Sequence, residues 1–369
     1  MQYSRSPALS RSVRFPCSTS SSLSRAARSI PERGGIPQSN LVTQDSNAII
    51  VQLHVISQKQ FAPRQESLLQ TLIGLLRAMR PKQWTKNTIV FAGLVFDAQL
   101  LMVEPLLTVI ATFFLLCLAS SSIYIINDLI DVERDRQHPR KRHRPIASGQ
   151  LSVPVATIAA FVLPLITLAL SALLNTWLAA IVLVYLVLHI AYTFWLKHIV
   201  IVDVLTIAAG YVLRVAAGTV VIHVTNFSPW LYLSVALLAL FLAVGKRRQE
   251  LLLLAEKAGS IRVTFEHYNL PLLDDMLRMV MVSVLITYTI YTIETESPVL
   301  AGTNLALLTV PFVLYGIFRY LYLMHVKGEG SAPDEVLLKD KPLLAAIMLW
   351  GLTFVAIIYL PQLLHSPVS

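Results

Sequence analysis

The sequence predicts an all-α membrane protein with nine transmembrane helices, and three observations support this. Apolar residues are 55% of the 369 and charged residues only 14%, where soluble domains run at roughly 25% charged. Apolar stretches long enough to cross a ~30 Å hydrocarbon core recur at about 87–103, 106–126, 153–174, 177–195, 199–222, 229–245, 276–294, 301–323 and 343–362. Bases gather on alternate connections between these stretches. The runs are too long and too uniformly apolar for barrel strands, which leaves helices as the spanning element.

Residues 1–66 are different material, rich in Ser, Arg, Pro and Gln, with Glu32 as the first acid. Such a composition cannot bury a core, so a disordered or dispensable tail is expected, followed by a polytopic domain over 67–369. An organellar transit peptide and a superfluous upstream start stand beside that reading. Lys82 and Lys86, in RPKQWTKN, precede the first stretch. They read as snorkelling topogenic charges, with Trp84 as an interface anchor, or as phosphate ligands.

The second stretch runs into NDLIDVERDRQHPRKRHRPIASG, Asn127 to Gly149. Asp128, Asp131 and Asp135 are spaced i, i+3, i+7, so a helix lines them on one face with Asn127. Stacked acids repel unless a cation lies between them. Hard oxygen donors favour Mg²⁺, held by one or two carboxylates plus substrate phosphates. Lys141, Arg142 and Arg144 follow at once, as positive-inside charges or as an anion clamp in which Arg forks match phosphate oxygens. Pro139 and Pro145 stiffen this loop, and Gly149, Ser152 and Pro154 read as a turn into the next helix.

Tyr192 and Lys197 close the fourth stretch. Arg214 lies deep in the fifth, with Tyr211 one turn before it. An unpaired guanidinium at that depth costs about 2.5–3.5 kcal/mol, so a carboxylate or phosphate partner is expected, with Asp203 as rim neighbour. The sixth stretch ends in GKRRQE, Gly245 to Glu250. Lys246 and Glu250 are i, i+4 and share a face with the bundle only if the helix projects past the membrane. His189 and His223 lack a metal-like partner at helical spacing, and Cys17 and Cys117 give no disulfide framework.

Charge orients the bundle. Arg77, Arg80, Lys82, Lys86, the six bases of 128–150, Lys197, the bases of 246–278 and those of 319–341 fall on one side. Connections near 97–105, 175–176, 223–228, 295–300 and 363–369 contain no Lys or Arg. The positive-inside rule then puts the amino terminus in the cytoplasm and the carboxy terminus outside. The net charge of +9 records this topology and calls for no nucleic-acid partner.

NDxxDxxxD after the second of nine spans, with a basic loop ending RPIASG, resembles the UbiA prenyltransferase superfamily. RPKQWTKN, YVLRVAAG in the fifth span, GKRRQE and a late GEGSAPDEVLLKD loop resemble its decaprenyl-phosphate phosphoribosyltransferase branch, from about Leu75 to the carboxy terminus. The resemblance implies a UbiA-like bundle in a bacterial plasma membrane. It also implies Mg²⁺-dependent transfer of 5-phosphoribosyl from phosphoribosyl pyrophosphate to a polyprenyl phosphate at the cytoplasmic face, in a route to cell-wall donors. Asn127, Asp128, Asp131 and Asp135 would hold the metal. Lys82, Lys86, Lys141, Arg142, Arg144, Tyr192, Lys197, Arg214, Lys246, Arg247 and Glu250 would contact substrate.

One departure separates the chain from users of prenyl diphosphates, which carry a second aspartate-rich motif after the sixth span. Lys246, Arg247, Arg248 and Glu250 stand there instead, and the adjacency of Asp274 and Asp275 points them to different helix faces. Transfer of a prenyl chain to an aromatic acceptor is the alternative reading. A solute transporter would show internal repeats, and none is visible. Nothing in the sequence bears on oligomeric state.

Overall fold

The computed structural model describes residues 68–222, 224, 228–255, 268–294, 304–329, 336–337 and 339–365, all within a compact unit Glu66–Ser369. The expected tail and His223 lie outside the described residues. Every regular element among the described residues is helical. A short α1 (Leu68–Ala78) leads into a 3₁₀ segment (Pro81–Phe91) and α2 (Ala92–Phe96). There follow α3 (Val103–Ile130), α4 (Val132–Gln137), α5 (Val153–Leu174), α6 (Thr176–Phe194), α7 (Val202–Val221) and α8 (Pro229–Ala255). The chain ends with α9 (Leu270–Glu294), α10 (Val310–His325, entered through a 3₁₀ turn Leu305–Thr309) and α11 (Lys341–His365).

Eight of these are long and apolar enough to cross a membrane: α3, α5 to α9, the Leu305–His325 run that contains α10, and α11. Their outward faces carry large apolar side chains such as Phe161, Leu173, Trp177, Met279 and Leu352, as a lipid-facing surface requires. From α5 to α11 each helix packs on the next, and α3 packs against α5, α6 and α7. Asn175 begins α6 by accepting from the amides of Trp177 and Leu178, which satisfies two of the helix's orphan donors. The turn expected at Gly149 is present: its φ is 77°, a left-handed conformation that glycine adopts without a Cβ penalty.

The first expected span departs from the prediction. Residues 87–103 do not form a long helix; the 3₁₀ segment and α2 stand in its place. Local chemistry explains the tighter winding. Thr85, Thr88, Ile89 and Val90 are β-branched and disfavour the α-helix. The Thr85 and Thr88 hydroxyls donate to the carbonyls three residues back, Lys82 at 3.2 Å and Thr85 at 2.7 Å, in competition with the regular ladder.

This segment runs antiparallel along α3. Trp84 Nε1 donates to Ser121 Oγ at 3.1 Å, and Asn87 Nδ2 to Ser120 Oγ at 3.2 Å. The Phe91 and Phe113 ring centroids lie 5.8 Å apart. Its other side is pressed onto α7, where a Cβ at Gly218 would meet the Val90 carbonyl oxygen at 1.9 Å. Small residues permit such backbone approach between membrane helices. Tyr359 of α11 then joins the last helix to the first segment: its hydroxyl accepts from the Leu100 amide at 3.0 Å and reaches the Leu94 carbonyl at 3.3 Å.

Candidate active site

The charged residues form two clusters, one where α3 ends and one where α7 begins and α8 ends. Asp131 marks the end of α3, with φ −92° and ψ 6°. The backbone continues across it, since the Asp131 amide bonds to the Asn127 carbonyl at 3.0 Å and the Asp135 amide to the Asp131 carbonyl at 2.8 Å. The predicted acidic face is therefore formed by two helices hinged at its middle residue.

Asp128 and Asp135 are both buried. Arg144 returns from the loop and bridges them through Nη1, at 3.0 Å from Asp128 Oδ1 and 2.6 Å from Asp135 Oδ2. Arg80 Nη2 donates to the same Asp128 Oδ1 at 2.5 Å, and its guanidinium lies 5.0 Å from the Tyr124 ring centroid. Asp128 Oδ2 is buried with no hydrogen-bond partner. Asp131 is half-buried and makes no side-chain bond with any described residue. Asn127 is half-buried beside them, whereas Lys141 and Arg142 are exposed on the 3₁₀ turn Lys141–His143 and do not join the carboxylates.

The donor set can be weighed for a metal. Among the described residues no three of His, Cys, Asp and Glu converge into a ready cage. Mg²⁺ does not need one, because it is held by one or two carboxylates together with waters and substrate phosphates. A buried, unpartnered carboxylate oxygen on Asp128 beside unpaired Asp131 fits that mode of binding.

A second cluster centres on Asp203, at the start of α7. The α8 helix continues past the apolar stretch, so GKRRQE projects beyond it as the spacing required. Arg247 Nε donates to Asp203 Oδ2 at 2.7 Å, Nη1 to Glu250 Oε2 at 2.7 Å, and Nη2 to the Tyr192 hydroxyl at 3.3 Å. Tyr268 donates to Asp203 Oδ1 at 2.8 Å. Burial pushes the Tyr268 phenol up to about 12, so it stays protonated as that donor. Lys246 Nζ stands 3.9 Å from Glu250, and Lys197 lies half-buried on the 3₁₀ turn Leu196–His198.

Two expectations are corrected here. The bases of GKRRQE, expected to contact substrate, are engaged within the protein: Arg247 with Asp203 and Glu250, and Arg248 with Asp274 at 2.5 Å. Asp203, in turn, is not the partner of Arg214. Arg214 Nε donates to Asn87 Oδ1 at 2.7 Å, Nη1 to the Gly210 carbonyl at 2.9 Å and Nη2 to the Tyr185 hydroxyl at 2.7 Å. The Tyr185 and Tyr211 rings lie 4.9 and 5.2 Å from its guanidinium carbon. Neutral acceptors and ring faces supply what a carboxylate was expected to supply, and Arg214 thereby ties the 3₁₀ segment to α6 and α7. Lys82 is exposed and Lys86 half-buried on that segment.

Sequence reasoning missed Arg80, Tyr268, Asn87 and Tyr185. Arg80 had a signal: it precedes Pro81 in a motif already singled out. Asn87 and Tyr185 are ordinary residues of apolar stretches, and Tyr268 of a polar connection, until the fold assembles them.

Residues 88–332 match the UbiA prenyltransferase family profile. Among curated proteins, the decaprenyl-phosphate phosphoribosyltransferase of Corynebacterium glutamicum is 35% identical over 292 residues, covering 78% of this chain and 87% of the relative. The enzyme of that name from Mycobacterium tuberculosis is 33% identical over 285 residues, covering 75% and 91%. Solved structures share the fold at lower identity. A UbiA homolog from Archaeoglobus fulgidus bound to GPP and Mg²⁺ aligns with a TM-score of 0.59 at 16% identity, covering 77% of this chain and 99% of that one. A digeranylgeranylglyceryl phosphate synthase aligns at 0.58 and 19%, covering 78% and 98%.

Proposed function

The chain belongs to the UbiA prenyltransferase family, and from that membership we propose that it transfers 5-phosphoribosyl from phosphoribosyl pyrophosphate to a polyprenyl phosphate. The observation that carries this reading is the 35% identity to a phosphoribosyltransferase over most of both chains. The reaction forms a bond between a lipid phosphate oxygen and the ribose anomeric carbon and breaks the bond from that carbon to pyrophosphate.

Asn127, Asp128, Asp131 and Asp135 would hold Mg²⁺, whose chemistry is to neutralise charge on the departing pyrophosphate. Arg80 and Arg144, beside these carboxylates, are placed to bind phosphate oxygens through their forks. The buried carboxylates also tolerate positive character at the anomeric carbon. The lipid phosphate is already anionic and attacks without a strong base, so positioning does most of the work. Lys82 and Lys86 on the 3₁₀ segment, Lys141 and Arg142 on the loop, and Tyr192, Lys197, Lys246, Arg247 and Glu250 around Asp203 line the approaches for the remaining phosphates. Arg214 contributes by fixing Asn87 and Tyr185.

The site would face the cytoplasm of a bacterial plasma membrane, and the 3₁₀ segment with α2 would be a ninth crossing. Its run along α3, from Trp84 at Ser121 through Phe91 at Phe113, supports that crossing. Residues 1–66 would be a tail outside the transferase domain.

The test is transfer in membranes from labelled phosphoribosyl pyrophosphate to a polyprenyl phosphate. Asp131→Ala is the cleanest variant, because Asp131 holds no structural partner. Activity should fall about 100-fold or more, on the scale of losing one electrostatic stabiliser, with expression unchanged; Asp135→Ala should lose activity to the same degree. Near-normal turnover in both variants, or transfer from a prenyl diphosphate to an aromatic acceptor in place of ribosyl transfer, would overturn the reading.

A further inference from the structure

Arg80 and Arg144 are arranged as more than neighbours of the acids. Asp128 is 2% exposed, whereas the side chains of Arg80 and Arg144 are 30% and 28% exposed. The guanidiniums thus form the solvent-facing layer and the carboxylate lies beneath them. Both converge on one oxygen, Asp128 Oδ1, while Oδ2 stays buried and unpartnered. A buried acceptor without a partner is costly, and crowding two cations onto one oxygen while its twin goes unused is a poor way to satisfy a carboxylate. Arg80 is also held at φ 54°, in the left-handed region, which a non-glycine residue keeps only where its surroundings impose it. Those surroundings are visible: the adjoining Met79 carbonyl accepts from Ser121 Oγ at 3.0 Å, and the guanidinium lies over Tyr124.

We infer that Arg80, together with Arg144, is an exchangeable counterion of the carboxylates and a further ligand for the donor's phosphates. Two carboxylates and two guanidiniums neutralise one another in the empty site. When a divalent cation takes Asp128 and Asp135, the guanidiniums are released with their charge intact, and a pyrophosphate is the partner that balances them. The metal takes over the guanidiniums' place on the buried carboxylates, and the pyrophosphate answers the cations so freed, so no buried charge is left bare once both are bound. It makes metal and diphosphate bind as a pair, the diphosphate strengthening the metal by engaging its competitors. This rests on the proposed metal-assisted chemistry but not on the identity of the group transferred.

The test uses the full-length protein in detergent, with Mn²⁺ as an EPR-visible divalent ion and inorganic pyrophosphate as the probe. A cation within a few ångströms shifts carboxylate equilibria by one to three logarithmic units. Arg80→Gln should therefore bind Mn²⁺ about tenfold more tightly than wild type without pyrophosphate, and bind pyrophosphate more weakly at saturating Mn²⁺. In an Asp128→Asn background the Arg80→Gln gain in Mn²⁺ affinity should vanish. Unchanged or weaker Mn²⁺ binding in Arg80→Gln, or unchanged pyrophosphate binding, overturns the inference. Should Arg80→Gln fail to fold, Arg80→Lys keeps the charge but loses the fork and must still weaken pyrophosphate binding; wild-type pyrophosphate binding there overturns it equally. Neither readout involves ribose, so a failed transfer assay with phosphoribosyl pyrophosphate would sink the proposed donor and leave this result standing.

Discussion

Asp203 and Arg247 lie 44 positions apart, and their side chains are 0% and 4% exposed. Two charges so deep are stable only because each is fully engaged: Asp203 by Arg247 and Tyr268, Arg247 also by Glu250 and Tyr192. Removing one partner of a buried pair leaves the other uncompensated and costs about 3–5 kcal/mol. Asp203→Asn should therefore lower the melting temperature of the detergent-solubilised protein markedly. Glu250→Gln, at a carboxylate 26% exposed, should lower it much less. Equal melting temperatures for the two variants would show that Arg247 does not depend on Asp203. None of this pairing was legible in the sequence, where Asp203 read as a rim neighbour of Arg214. Spacing along one helix shows which residues share a face. It cannot show which neighbouring helix brings Arg247 to Asp203 and Asn87 to Arg214.

At the scale of elements, α3 and the helices from α5 to α11 could be read from apolar run length alone, because a bilayer admits few alternatives. The acidic stripe was legible in part, since Asp128 and Asp135, seven positions apart, are brought together on Arg144 across the hinge at Asp131. The first span escaped because hydropathy counts residues and not their rise. A 3₁₀ segment of 11 residues looks like the start of an ordinary apolar helix. Its close seat on α7 leads to a prediction. Gly218→Ala would place a methyl 1.9 Å from the Val90 carbonyl oxygen, so the two elements must part. Overpacking of this kind costs about 1–3 kcal/mol. Gly351→Ala in α11, where a Cβ meets nothing within 4 Å, should be neutral or stabilise by about 0.5–1 kcal/mol, since alanine is the better helix former. Thermal unfolding of the two variants side by side checks this. A Gly218→Ala protein as stable as Gly351→Ala would mean that the segment does not pack on α7 as closely as the contact requires.

For the whole molecule, orientation follows from charge and the number of crossings from geometry, and the two lines can be tested together. Arg77 bonds Gln150 at 3.2 Å and Arg80 bonds Asp128, so α1 sits at the end of α3 that carries the acids. The chain then travels the length of α3 in reverse, through Asn87 at Ser120 and Phe91 at Phe113, before α3 begins at Val103. A segment that starts at one end of a spanning helix and finishes at the other would cross with it, which is the basis of the proposed ninth crossing. In the proposed orientation the acids face the cytoplasm, as the positive-inside rule expects of the base-rich side. Seven further crossings from α5 onward would then bring the carboxy terminus out. In a background free of Cys17 and Cys117, single cysteines at Leu68, Ser148 and Ser369 should separate these claims. An impermeant maleimide should label Leu68→Cys and Ser148→Cys only in inverted vesicles, and Ser369→Cys only in intact cells. Labelling of Leu68→Cys from outside would remove the ninth crossing while leaving the orientation intact. Labelling of Ser148→Cys from outside would invert the whole bundle and put the acids on the wrong face for a phosphorylated cytoplasmic donor.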